Sequence, residues 1–180
     1  MIARALSQMG EDRNAKVPKV EDLRTTIRYF DNQHCIAWHG NVQIVLSTVA
    51  PSMPVMAEIA EQLEKLGQKH RGGTGCLLII SSDASPPDEE VRKFIRVKLE
   101  RSSMLATAQV VLGTGFRGAA MRSVLSLLQM AIRPKYAMRI FGDVRVGSEW
   151  LIEILGAKTT GTLPAESLVE TARELVAQVF

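Results

Sequence analysis

The chain has 180 residues, a formal net charge of +3, 46% apolar side chains, two cysteines and three histidines. That length and apolar content suit one packed domain, since a chain of roughly 150 residues buries some two thirds of its unfolded surface. The charge is too small to announce a nucleic-acid binder, and no run approaches the roughly 20 apolar residues that cross a bilayer. Residues 1–10 lack the apolar core of a secretory signal, so a cytoplasmic protein is expected.

Residues 1–24 are polar and without periodicity, and are expected to form a flexible lead-in. Residues 25–30, 34–39 and 42–46 then alternate as strands, separated by Asp31-Asn32 and Gly40-Asn41, which suit tight turns; this opening reads as an antiparallel meander. A helix is expected from Ser52 as N-cap, with Pro54 in its first turn and Gly67 at its end. Its apolar stripe is Val55, Met56, Ile59, Ala60, Leu63 and Leu66.

Three unbroken apolar runs follow, at 76–80, 108–112 and 137–141, each leading toward a helix start. Such runs read as strands buried on both faces, as in a largely parallel sheet covered by helices. After the first, Ser85 reads as an N-cap, Pro86 as the first helical position and Asp88 as its capping-box partner. That helix turns Val91, Phe94, Ile95 and Leu99 inward, with Arg92, Lys93, Arg96 and Arg101 outward. The second run opens a very apolar helix over 116–132, whose narrow polar stripe is Arg122, Ser126, Gln129 and Arg133; it is either buried or supplies an interface. Pro134 stops it. Asp143 caps a short helix carrying Trp150, Leu151, Ile154 and Leu155, residues 156–161 read as a linker, and Pro164 opens a last amphipathic helix that packs back or onto a partner.

Gly113, Gly115 and Gly118 form a G-x-G-x-x-G turn between a strand and a helix. The acid that would bind a ribose about 20 residues on is missing, the next being Asp143, and a tight turn explains the glycines as well. Gly113, Gly115, Arg117 and Arg122 remain candidates for meeting an anion or ligand, because residues 102–142 hold no Asp or Glu. Ser81, Ser82 and Ser85 cluster at a strand-to-helix junction, where a helix dipole favours added phosphate, so they are candidate phosphorylation or partner-binding positions. Cys35 and Cys76 lack CxxC spacing and could pair but read as small buried thiols, while His34, His39 and His70 are scattered. No catalytic constellation, metal site or cofactor is called for.

The element order, a β-meander and then alternating helices and strands, joins with Phe141-x-Asp143, Gly147, Trp150 and Leu151. Together they resemble the STAS superfamily, the sulfate transporter and anti-sigma-factor antagonist domains, and most of all its stand-alone bacterial STAS-like branch. There the closing pattern looks like F-x-D-x-x-x-A-x-x-W-L, with Gly147 standing here for the small Ala. Antagonist members carry a phosphorylatable serine in a D-S-S/T-G turn; this chain has Ser81-Ser82-Asp83-Ala84-Ser85-Pro86 in that place, without the glycine.

The resemblance implies a STAS-like α/β domain over 25–155, with a mixed four- to five-stranded sheet, an N-terminal meander and helices packed against it, followed by a linker and helix over 156–180. It also implies a non-catalytic regulatory or scaffold module that binds a protein partner; a homo-oligomer is a separate expectation, since the sequence leaves the oligomeric state open. The surface around 81–90 and the start of the 116–132 helix would carry recognition. The alternative is a small-ligand or lipid-binding protein with a cavity under the 116–132 helix and Arg117 or Arg122 at an anionic head.

Overall fold

A computed structural model describes residues 24–99, 103–158 and 163–180. Residues 1–23 of the lead-in expected over 1–24, the side chain of Leu99, Arg101 and linker residues 159–161 lie outside the described residues. Six strands and five helices follow in chain order: β1 (Thr25–Phe30), β2 (His34–His39), β3 (Val42–Ser47), α1 (Met53–Lys69), β4 (Thr74–Ser81) and α2 (Glu89–Leu99). Then come β5 (Met104–Leu112), α3 (Gly115–Ile132), β6 (Ala137–Phe141), α4 (Val144–Gly156) and α5 (Ala165–Val179).

All six strands join one sheet whose spatial order is the chain order. The meander β1–β2–β3 is antiparallel, and β3–β4–β5–β6 are parallel. The α/β class is as expected, but the sheet is wider than four or five strands. The reason is that β3 pairs with the hairpin on one side and with the parallel run on the other, so no apolar segment is left outside. Among the described residues, no helix is long and apolar enough to cross a membrane.

Topology decides where the helices lie. The crossovers β3–α1–β4, β4–α2–β5 and β5–α3–β6 all step the same way across the sheet. Right-handed connections therefore put all three helices on one face. The opposite face is left for α4 and α5, and they fill it. Ile44, Leu46, Leu77, Ile79, Ala106, Ala108 and Val110 point there and pack with Leu151, Leu155, Leu168, Ala172 and Leu175 in one continuous core. The last helix thus folds back on its own domain.

Two expected helix ends shift for physical reasons. Helix α1 runs through Gly67 to Lys69, because the Ser103 hydroxyl occupies the space a side chain at Gly67 would need, which makes this a packing glycine. Helix α2 starts at Glu89, not at Ser85 and Pro86. Pro87 disfavours helical backbone at the residue before it, so the Pro86-Pro87 pair holds the chain extended. Asp88 then takes over as cap, its Oδ1 accepting from Val91 N at 2.8 Å.

The closing pattern has a structural purpose. Asp143 caps α4 by accepting from Val146 N at 3.0 Å. The Phe141 and Trp150 rings stand 5.4 Å apart, and Leu151 is fully buried. A methyl at Gly147 would lie 2.8 Å from Val110 Cγ2, so glycine lets α4 settle this close to β5.

Candidate functional site

The three-helix face differs from the other. Its buried residues fall into two separate clusters: Ile36, Val45, Leu63, Cys76 and Met104 under α1, and Ala84, Val111, Met121 and Leu125 under α3. Between them lies a cavity of about 160 Å³. It exists because the helix that should roof the middle strands supplies too little apolar volume. Among the described side chains of α2 only Val91 is fully buried, Phe94 and Ile95 are half-buried, and Arg96, Val97 and Lys98 are exposed.

Register orders the cavity floor. Gln43, Cys76 and Thr107 are neighbours across β3, β4 and β5; one step along the strands are Val45, Leu78 and Gln109; beyond them are Ser47, Ile80 and Val111. Pro51, Ser85, Pro86 and Pro87 form the rim, at the C-terminal ends of β3 and β4, where parallel α/β sheets place their ligands. Met56, Ile59 and Leu63 of α1 and Met121, Leu125 and Leu128 of α3 close the sides. The lining is almost wholly apolar and, among the described residues, contains no carboxylate. Arg92, expected to face outward, is the one charged residue among those described.

The inner end is the polar part. Gln43 is fully buried, and its Nε2 donates to the Ile59 carbonyl at 3.1 Å. Its Oε1 is buried without a hydrogen-bond partner, and so is the Tyr136 hydroxyl. Thr107, beside Tyr136, donates its hydroxyl to Met104 Sδ at 3.1 Å. Burial pushes the Cys76 thiol up to about 12 and the Tyr136 phenol above its ordinary value, so both stay protonated at neutral pH.

The residues singled out in the sequence are placed as follows. Ser85 sits exposed on the rim, while Ser81 Oγ accepts from Asp83 N at 3.2 Å within the turn. Ser82 packs against Gly113. Gly113 and Gly115 have φ of +115° and +74°, conformations that need glycine, and Gly118 touches the Gly113 carbonyl where a Cβ would sit. The glycine motif is therefore accounted for by the turn itself. Arg117 pairs with Asp83 at 2.9 Å on the surface, and Arg122 lies against Gly118 and Gly142. Neither arginine is among the cavity residues, so the structure brings Ser85 to the site but not the glycine turn.

Sequence reasoning missed Gln43, Thr107 and Gln109 as cavity residues. Their signal was present: each is a polar side chain inside an otherwise mostly apolar strand, Gln43 in β3 and Thr107 and Gln109 on alternate positions of β5. It also missed a polar pin on the opposite face, where fully buried His39 meets Thr25 Oγ1 through Nδ1 at 2.8 Å and Ser167 Oγ through Nε2 at 2.9 Å. Arg24 donates to the same Ser167 oxygen at 2.6 Å. This cluster ties α5 across the β1–β2 hairpin. No family model matches the chain, and no curated protein or solved structure matches it.

Proposed function

We propose that the protein is a non-catalytic, STAS-like binding module that holds an apolar small molecule in the cavity under α1, α2 and α3. The cavity itself carries this reading. A space of about 160 Å³ with apolar walls is comparable to engineered cavities that stay dry and bind benzene-sized molecules. The neighbouring face of the same sheet is closely packed, so the space is a local property of the α2 roof. Its mouth includes Ser85, Pro86 and Pro87, within the surface around 81–90 where the sequence suggests recognition.

Native mass spectrometry of protein purified without denaturation, with thermal shifts in benzene, toluene and indole, tests the reading. A retained small molecule, or a rise in melting temperature that grows with probe concentration as mass action requires, supports it. A clean apo mass together with no shift for any probe overturns it.

A second reading rests on a separate observation, the outer face of α3. Phe116 is 87% exposed, Leu127 62% and Met130 63%, with Ala119 and Ser123 between them. We propose a second copy of the chain as its partner, crossing antiparallel near Ser123. That places Phe116 against Met130, a favourable sulfur–aromatic pairing, and Leu127 against the small Ala119 and Ala120. Sedimentation equilibrium should then give a dimer that Phe116→Ser with Leu127→Ser converts to a monomer. A wild-type monomer at all concentrations sinks this reading.

A further inference from the structure

We infer that the molecule this cavity takes is neutral and apolar with one hydrogen-bond donor, a phenol or an alcohol, bound with its polar group at the inner end against Gln43 and Tyr136. The inference rests on the proposed function and adds the chemical class of the ligand.

The first ground is the bare acceptor. The Gln43 amide can be oriented only one way, because Ile59 O accepts and must face the Nε2 donor. Oε1 is thereby turned away from α1. It is an acceptor on a fully buried side chain, with no partner among the described residues. Buried polar atoms of this kind are nearly always satisfied, and Gln43 is one of the residues around the cavity, so its unsatisfied oxygen marks the end of the space where a ligand donor belongs. Tyr136 places a second buried hydroxyl beside the same row, next to Thr107, and that hydroxyl can donate or accept. The Thr107 hydroxyl beside Tyr136 donates to Met104 Sδ and keeps its oxygen as an acceptor.

The second ground is charge. Among the described residues no carboxylate lines the cavity, Cys76 and Tyr136 stay neutral, and the single cation, Arg92, belongs to the α2 roof. An anionic head at the inner end would face the Gln43 carbonyl with nothing to neutralise it. A cationic head would lack any acid. A neutral donor fits both conditions.

The third ground is size. From Ser47 on the outer row to Gln43 on the inner one is four residues, about 13 Å along a strand. A volume of about 160 Å³ spread over that length suits one ring with a short substituent, or a short chain ending in a hydroxyl.

The test compares phenol with toluene, which match in size and differ in the donor, by calorimetric titration of the full chain and of Gln43→Met and Tyr136→Phe. Replacing Gln43 removes the acceptor at nearly constant volume, and should weaken phenol by about tenfold while toluene binds as well or better. Tyr136→Phe removes one oxygen and should shift the same ratio in the same direction; it carries the test should Gln43→Met not fold. If both probes bind but their ratio is unchanged in the folded variants, the assignment of the ligand class is overturned and the apolar-binding reading stands. If neither probe binds the wild type, both fail together.

Discussion

Ala84 and Ala106 offer a direct measure of whether the two faces of the sheet differ as described. Both are buried, Ala84 beside the cavity and Ala106 in the core under α4 and α5. Leucine adds three carbons to either. On the hollow side, three methylenes moved out of water are worth about 2.4 kcal/mol at roughly 0.8 kcal/mol each. An independent ceiling comes from the space: about 160 Å³ at roughly 24 cal/mol per Å³ is about 4 kcal/mol for complete filling. Allowing for side-chain ordering and imperfect fit, Ala84→Leu should stabilise by about 1 kcal/mol, a rise of roughly 2–4 °C in melting temperature for a chain of this size. On the packed side, Ala106 stands against fully buried neighbours, and the same substitution should cost about 1–3 kcal/mol by overpacking. Urea denaturation followed by circular dichroism gives both values. The reasoning is refuted if Ala84→Leu loses as much stability as Ala106→Leu, because the space over β4 and β5 would then already be filled. In the same variant, toluene binding should fall sharply.

Buried His34, hydrogen-bonded to Ser47 Oγ at 3.1 Å, has a pKa lowered from 6.5 by burial, with Asp31 opposing. A base held below its ordinary value adds stability that is full above about pH 6.5 and lost as pH falls through that value toward the folded one. Melting temperature should therefore fall from about pH 7 to about pH 5, and less so in His34→Asn; an unchanged slope would show that His70, shifted the same way, carries the effect. Gly147→Ala should destabilise by about 1 kcal/mol, since overpacking against Val110 and Phe141 outweighs the roughly 1 kcal/mol gained in helix propensity. A stabilised Gly147→Ala in thermal melts would mean that α4 is free to move away from β5.

The fold was legible where hydrophobic period and turn chemistry agree. Each of the six strands coincides with an apolar or alternating run, and Asp31 closes the first hairpin through Oδ1 bonds from Gln33 N and His34 N at 2.7 and 2.6 Å. The start of α2 was misplaced because Ser85, Pro86 and Asp88 satisfy a capping pattern locally, while the constraint from Pro87 acts backward on its neighbour. Arg92 was assigned outward from the periodicity of a single helix. Its actual place depends on how far α2 stands from the sheet, which no local pattern encodes. The exposed face of α3 was legible only as an alternative, because a helix apolar on nearly every side gives no direction for its core.

The cavity was illegible as a void but visible as a contrast between the faces of the strands. On β3, β4 and β5 the side chains that pack with α4 and α5 run from Ile44 to Val110 as one apolar cluster, the polar pin at His39 standing apart on β2. On the other face the same strands carry Gln43, Ser47, Thr107 and Gln109 among Val45, Leu78 and Ile80. Were that face meant only to bury area, each polar side chain there would cost stability, and one extra apolar turn in α2 would close the gap. Polar groups on the floor and a charged, late-starting helix as roof are both unfavourable for packing, yet they meet at one place. Two independent departures from good packing converge on the same space, which is what the proposed binding reading requires, and on that reading the unpartnered Gln43 carbonyl is where the ligand's polar group would lie.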